Sequence, residues 1–137
     1  MSTPVLEKAT LVDLEKAQCI ALTTFRKTGQ AVTTPVMFAV GHGTIYVGTR
    51  ADAGKLKRLR HTTRITLAPC SYSGKVTGMV REGNARILTA PEESATASAA
   101  LAKKYGFMLP LTRYVWRLFH RQADAEEIYI AIEPIAG

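Results

Sequence analysis

Cys19-Ile20-Ala21-Leu22-Thr23-Thr24-Phe25-Arg26, Lys27-Thr28-Gly29-Gln30, Ala31-Val32-Thr33-Thr34-Pro35-Val36-Met37-Phe38-Ala39-Val40 is the stretch on which the fold turns. Its β-branched and apolar residues predict a strand over Cys19–Arg26, a turn at Lys27–Gln30 and a second strand over Ala31–Val40. Pro35 lies inside that second strand. It cannot donate to a ladder, which implies an edge, a bulge or a place where something else approaches. Outward from here, Gly41-His42-Gly43 is a turn into a third strand, Thr44–Gly48.

The same grammar continues on both sides. Towards the start, Leu11–Ala17 predicts a short leading helix, with Thr10 as its cap and Leu11 and Leu14 facing inward. Towards the end, Arg64–Ala68 alternates polar and apolar, as a half-buried strand does. Met79–Leu88 predicts a longer strand that Gly83 bulges or bends. Ile128, Ile130 and Ile132 share one face of a last strand that ends at Pro134. Two helices separate the fifth and sixth strands. Thr89 and Glu92 have capping-box spacing, with Pro91 in the first turn, Glu92 and Glu93 at the positive end, Lys103 and Lys104 at the negative end, and Gly106 as the stop. The second helix, Pro110–Phe119, begins a stripe of Arg113, Arg117 and Arg121 at spacing four. Six antiparallel strands in one small unit suggest a barrel, because closure removes exposed edges.

The chain of 137 residues is long enough for one domain, 1–137, and too short for two. With 47% hydrophobic and 21% charged residues, its composition is that of a globular protein, and its apolar runs are too short to span a membrane. Met1-Ser2-Thr3-Pro4 lacks a charged region followed by an apolar stretch, so no signal peptide is expected. Cys19 and Cys70 have no metal spacing and read most simply as buried free thiols of a cytoplasmic protein, with a disulfide between them as the alternative. The formal charge of +7 points to an anionic partner without choosing among nucleic acid, a membrane surface and an acidic small molecule.

The charge has a focus at Thr49-Arg50-Ala51-Asp52-Ala53-Gly54-Lys55-Leu56-Lys57-Arg58-Leu59-Arg60. A loop after a strand opens into a helix start; Asp52 can cap it, and Gly54 lets the backbone be approached closely. Arg50, Lys55, Lys57, Arg58 and Arg60 surround that start, while Leu56 and Leu59 anchor one face. Strand, small-residue loop and cationic helix start together read as a phosphate cradle; a solvated basic helix is the alternative. No side-chain catalytic constellation accompanies it. His42, His61 and His120 lack metal-ligand or triad neighbours, Ser71 and Ser73 lack an elbow motif, and Glu82 reads as a solvent-facing strand residue or an arginine partner. Any chemistry is therefore expected from a bound cofactor.

The order of Ala21-Leu22-Thr23-Thr24, Arg26-Lys27-Thr28-Gly29-Gln30, Thr33-Thr34-Pro35-Val36-Met37-Phe38, Ile45-Tyr46-Val47-Gly48-Thr49, Gly54–Arg60 and Arg64–Ala68 resembles the flavin and deazaflavin oxidoreductases, the split β-barrel proteins related to pyridoxamine-phosphate oxidase. The resemblance covers the chain from about Leu14 to Pro134 and is nearest to the branch that uses coenzyme F420. It implies a mainly β fold, a six-stranded antiparallel split β-barrel with a few short helices. It also implies a homodimer with a cofactor in each groove between subunits. By position, Thr34, Pro35 and Val36 would line the ring system, and Thr49, Arg50, Ala53, Gly54 and Lys55 would hold the phosphate. Lys75, Val76 and Gly78 would reach the cofactor from the partner subunit. Met37 stands where many relatives carry tryptophan, so the pocket floor is expected to differ. The sequence supplies no obligatory acid or base and no metal ligands.

Three functions follow. The first is a reductase passing a hydride from reduced coenzyme F420 to a small unsaturated or quinone-like substrate; a long anionic cofactor suits a +7 protein with two cationic stretches. The second keeps the fold with flavin mononucleotide (FMN) as cofactor. The third is a non-enzymatic binder of haem, nucleic acid or another anion. Against nucleic acid, no exposed aromatic series runs in register with the basic residues.

Overall fold

The computed structural model describes residues 3–106 and 127–135. The predicted helix at Pro110–Phe119, the Arg113/Arg117/Arg121 stripe and His120 lie outside the described residues. Seven strands form one antiparallel sheet: β1 (Cys19–Phe25), β2 (Ala31–Val36), β3 (Phe38–Gly41), β4 (Thr44–Arg50), β5 (Arg64–Cys70), β6 (Arg81–Ile87) and β7 (Glu127–Glu133). Their order is β2-β1-β5-β6-β7-β4-β3. β2 and β3 are consecutive in the chain yet occupy opposite ends of that order, so the sheet must curl until its two ends meet at Met37. This is the split barrel expected from the sequence, with one strand more.

The extra strand comes from dividing the predicted Ala31–Val40 strand. Ala31–Val36 pairs with β1, whereas Phe38–Gly41 pairs with β4. Pro35 sits on an end strand, where its missing N–H costs no ladder bond. Two turns follow the expected chemistry. Gly29 has φ 90° between β1 and β2, and His42 and Gly43 have φ 55° and 70° in the two-residue hairpin between β3 and β4.

The barrel interior is filled by Ile20, Leu22, Phe38, Ile45, Val47, Ile65, Leu67, Ile130 and Ile132, with Leu56 and Leu59 of the helix α2 (Gly54–His61) closing one end. Burying each of these large side chains contributes about 1.5–3 kcal/mol. Ile128 is only half-buried, against the rim of that cluster. The outer face is covered by α3 (Pro91–Tyr105), whose Ala97, Leu101 and Tyr105 pack over β3, β4 and β7.

Several local expectations are corrected. The leading helix α1 is one turn, Leu11–Leu14, and Thr10 Oγ1 donates back to Glu7 O at 2.7 Å instead of capping it. α3 starts after Ala90 with Pro91 at its first position and no side-chain cap. The capping box is absent, and Glu93 in that turn meets Arg86 at 2.7 Å. Gly106 ends α3 with φ −50°, without a left-handed cap. Gly83 makes no bulge, since β6 keeps continuous register with both neighbours. A Cβ there would lie 3.3 Å from Ile132 Cγ2, so the glycine makes room for the core. Met79 and Val80 precede β6 and are exposed. Glu82 takes the arginine-partner role, with Arg64 Nε donating to its Oε1 at 2.6 Å.

Cys19 and Cys70 are buried free thiols, as expected, and stand directly opposite across β1 and β5. Ser71 N–H to Lys75 O and Thr77 N–H to Pro69 O, both 2.9 Å, bracket Cys70, which turns its own amide and carbonyl towards Cys19. At such a hydrogen-bonded position the Cβ atoms stand roughly 5.5 Å apart, wider than the 3.5–4.5 Å or so of a disulfide. Burial pushes both thiols up.

Candidate functional site

The division of the second strand creates the most distinctive feature of the sheet. In β3–β4 pairing, Phe38 faces Val47. Two residues further along that register Val36 would face Thr49, and Pro35 would face Arg50. Instead β2 leaves for β1, where Val36 faces Ile20 and Pro35 faces Ala21. Two strands thus diverge from Met37, with Thr34–Val36 on one wall and Thr49–Arg50 on the other.

Ladder alternation fixes what these walls present. Leu88 N–H donates to Tyr129 O and Ala85 N–H to Thr63 O, each at 2.9 Å, and these bonds set the phase of the whole sheet. Carried through the registers, that phase turns the backbone of Gly48 and Arg50 towards the side where β3 has ended. It turns the backbone of Thr33 and Pro35 away from β1. The carbonyl of Arg50 is taken by Ala53 N–H at 3.0 Å. The split is therefore lined by strand backbone that the sheet itself does not pair, a natural bed for a flat polar ligand.

β4 runs from this split into the start of α2. Asp52 does not cap that helix: Ala53 is the capping residue, no side chain closes the end, and Asp52 Oδ2 accepts from Arg50 Nη2 at 2.8 Å. The charged donor outcompetes the amides, because charge-assisted bonds are the stronger ones. Lys55 is half-buried behind Gly54. Arg58, one helical turn on, folds back over the start, so that a Cβ on Gly54 would lie 2.8 Å from its Nη1. Its Nε donates to Thr24 Oγ1 of β1 at 2.5 Å, and Thr24 is the single buried polar residue among those described.

The electrostatics show what is unbalanced here. Burial, and then the charge of Arg58, push the Lys55 ammonium below the ordinary lysine range. Burial, and then Arg26, lower the Arg58 guanidinium. Arg58 is thus repelled by both Lys55 and Arg26, and an anion placed beside it relieves both desolvation and repulsion. Arg26 was not legible as part of this group, since it arrives from the β1–β2 hairpin. Arg58 was legible in principle. It follows Gly54 by four residues, and Leu56 and Leu59 fix the helix phase that brings the two together.

Lys75, Val76 and Gly78 occupy a turn after β5 and are exposed. Val76 bridges to Cys70, and Gly74, with φ 90°, places a would-be Cβ 3.9 Å from Pro35 Cγ. The turn backs onto the outer side of β2, with Tyr72, Val76, Met79 and Val80 exposed along it. Met37 packs on the outer face between Cys19, Ala21 and Cys70 on one side and Ala39, Leu101 and Tyr105 on the other. Among the described residues no group of histidine, cysteine and acidic side chains is arranged to hold a metal, and no helix is long and apolar enough to cross a membrane.

The fold is that of a split-barrel protein, with a cationic helix start beside the split. The pyridoxamine 5'-phosphate oxidase family matches residues 6–134, so the chain belongs to that family. Among solved structures it is similar to the conserved hypothetical protein Rv2991 from Mycobacterium tuberculosis, with 22% identity and a TM-score of 0.66 over 98% of this chain and 84% of that one. A 5-nitroimidazole antibiotic resistance protein from Bacteroides thetaiotaomicron gives 12% identity and 0.65 over 98% and 84%. HutZ, the haem storage protein from Vibrio cholerae, gives 11% identity and 0.66 over 97% and 92%. At these identities the likeness concerns the fold alone. No curated protein matches the sequence.

Proposed function

We propose that the protein is a homodimeric reductase that binds coenzyme F420 in the split. The observation that carries this reading is the cation group at the start of α2: burial and Arg58 lower Lys55, burial and Arg26 lower Arg58, and the nearby Asp52 is engaged by Arg50. That group would hold the phosphate. Thr34, Pro35 and Val36 on one wall, and Thr49 and Arg50 on the other, would clasp the ring, largely through backbone groups. Ala53, Gly54 and Lys55 would seat the phosphate at the helix start. The exposed, partly apolar turn carrying Lys75, Val76 and Gly78 suits a second subunit and would complete the site there.

The bound cofactor would supply the hydride. The chain's own residues bind, orient and dry the site. Half-buried Thr34 and Val36 exclude water from the ring face, and the cationic start of α2 fixes the far end of the ligand. No side chain is assigned a proton-transfer role. A small electron-poor acceptor, quinone-like or otherwise unsaturated, fits a site without an acid or base.

A second reading keeps the barrel and uses FMN. The local character of the cradle favours it, because Arg58 folds over Gly54 and is near enough to Lys55 to lower its pKa, a pair that a single phosphate would satisfy. Haem, which the Vibrio cholerae relative stores, is the third ligand to compare. Among the described residues the histidines are at the β3–β4 turn and the last position of α2, His42 and His61, and both are exposed. Spectroscopic titration with coenzyme F420, FMN and haem, together with the solution mass, tests the proposal. Micromolar or tighter binding of coenzyme F420 by a dimer is expected. Binding of FMN alone moves the assignment to the second reading, and a monomer indifferent to both cofactors removes the proposal.

A further inference from the structure

β3 ends the sheet, yet its two outward amides are not left bare. Phe38 N–H donates to Tyr105 Oη at 3.1 Å, and Val40 N–H donates to Glu15 Oε2 at 2.7 Å. The Tyr105 hydroxyl then donates to Gln18 O at 2.8 Å. The side chain of Gln18 continues the path, because its Oε1 accepts Tyr72 N–H at 3.1 Å. One chain of hydrogen bonds thus runs from the first residue of β3, through the end of α3, to the residue before β1 and on to the turn after β5.

One end of that chain adjoins the split, and the other opens the turn proposed to complete the site of the second subunit. Phe38 adjoins Met37, the point from which the two walls diverge, and Tyr72 opens the turn that carries Lys75, Val76 and Gly78. Tyr105 is well placed to hold geometry. It is 4% exposed, and burial raises its phenol far above the ordinary tyrosine range, so the proton donated to Gln18 stays in place. Lys104 reinforces the same corner, with Nζ 3.4 Å from the centroid of the Phe38 ring and 3.9 Å from Glu15 Oε1.

We propose that Tyr105 and Gln18 are positioning residues that set the split and the 71–78 turn relative to each other, acting on the ligand only through Phe38 and Tyr72. This rests on the reading that the split holds a cofactor, and the experiment separates the two. Tyr105→Phe removes both bonds of the hydroxyl and keeps the ring packing. Gln18→Ala keeps its carbonyl and loses the bond to Tyr72. Leu88→Ala, in the separate outer cluster with Tyr46 and Ala131, is a destabilised control. Amide exchange without added cofactor is read at residues 34–40 and 70–78, and affinity is read for coenzyme F420 and FMN.

Tyr105→Phe is expected to speed exchange in both segments and weaken binding about tenfold, as the loss of a buried hydrogen-bonded pair implies. Gln18→Ala is expected to speed exchange at 70–78 alone and to weaken binding by less. Leu88→Ala is expected to lower the melting temperature while leaving affinity unchanged. The proposal is overturned if Tyr105→Phe leaves exchange at 70–78 unchanged, or if it weakens binding no more than Leu88→Ala does. Should the parent bind neither cofactor, the function falls while the exchange measurement still decides the coupling.

Discussion

The two ends of the curled sheet are treated in opposite ways. At β3, both outward amides are closed by side chains, from Tyr105 and Glu15, and α3 lies against the strand. At β2, alternate backbone groups face away from β1, Pro35 removes one donor, and across the split β4 runs on past the end of β3, paired there with β7 on its other side. Proteins close sheet ends because bare amides and carbonyls invite pairing with another chain. One end here is closed by a half-exposed carboxylate beside a largely buried ammonium. The other is open beside a concentration of positive charge. On the proposed reading the open end is kept for a ligand, so substitutions at the two ends should have opposite consequences.

The largest effect is expected at the open end. Lys55→Ala and Arg58→Ala together remove the cation that follows Gly54 and the one that folds over it. Affinity for either phosphate-bearing cofactor should fall about a hundredfold, roughly 2.7 kcal/mol. Lys55→Ala alone should lose about tenfold with little change in melting temperature, since alanine is a good helix former. Arg58→Ala should also cost about 1 kcal/mol of stability, because buried Thr24 loses its partner. Isothermal titration and thermal melts check both. Unchanged affinity in the double variant would reduce the cradle to a solvated face.

The closed end should respond in the reverse sense. Glu15→Ala frees the Val40 amide and removes the carboxylate 3.9 Å from Lys104. A loss of about 1–3 kcal/mol in denaturant unfolding is expected, the range for leaving a buried polar group without its partner. Anion affinity should hold, because neither group touches α2. If Glu15→Ala weakened cofactor binding as much as it weakened the fold, the division of labour between the two ends would be lost.

How much of this was legible follows from the range of each signal. The turns at Gly29 and at His42-Gly43, and the burial of Ile130 and Ile132 in β7, depend on neighbouring residues and were readable. The division at Met37 was not. Residues 31–40 alternate without interruption, and only distant partners decide that Ala31–Val36 joins β1 while Phe38–Gly41 joins β4. The predicted caps misled for a related reason. Asp52 went to Arg50, where a charged partner outweighs the local amide, and the Thr89–Glu92 box gave way to a helix that starts one residue later, after Ala90. At the cradle, Gly54 and Lys55 could be placed from the strand–loop–helix pattern, whereas Arg26 joins them through the packing of α2 on β1.

The cradle should also titrate. Burial and Arg58 hold the Lys55 pKa below its ordinary 10.5. A bound phosphate favours the protonated ammonium, so binding should take up protons, and affinity should weaken as pH rises through that lowered pKa. Stability of the unliganded protein has the opposite sign. Between the lowered pKa and 10.5 the unfolded chain binds more protons at this lysine, so this group's contribution rises with pH. A fall in affinity is expected as pH rises towards 10.5, and Lys55→Ala should flatten it. A drift of equal size in that variant would assign the titration elsewhere.

The smallest effect is expected at Arg60, which makes it the sharpest control. Arg60 carries the same charge on the same helix, but it is exposed and lies in the last turn, away from Gly54. Its interaction with the negative end of the helix is worth roughly 0.3–1 kcal/mol at low salt. The gain in helix propensity on going to alanine is small, so the net change in stability should be a few tenths of a kcal/mol or so. Cofactor affinity should change less than about twofold at 0.15 M salt, because screening over roughly 8 Å removes most of its pull on a phosphate at the other end of α2. If Arg60→Ala weakened binding as much as Lys55→Ala, the attraction would be a property of the whole basic helix. The split would then lose its claim to the ligand, and the open end of the sheet would need another explanation.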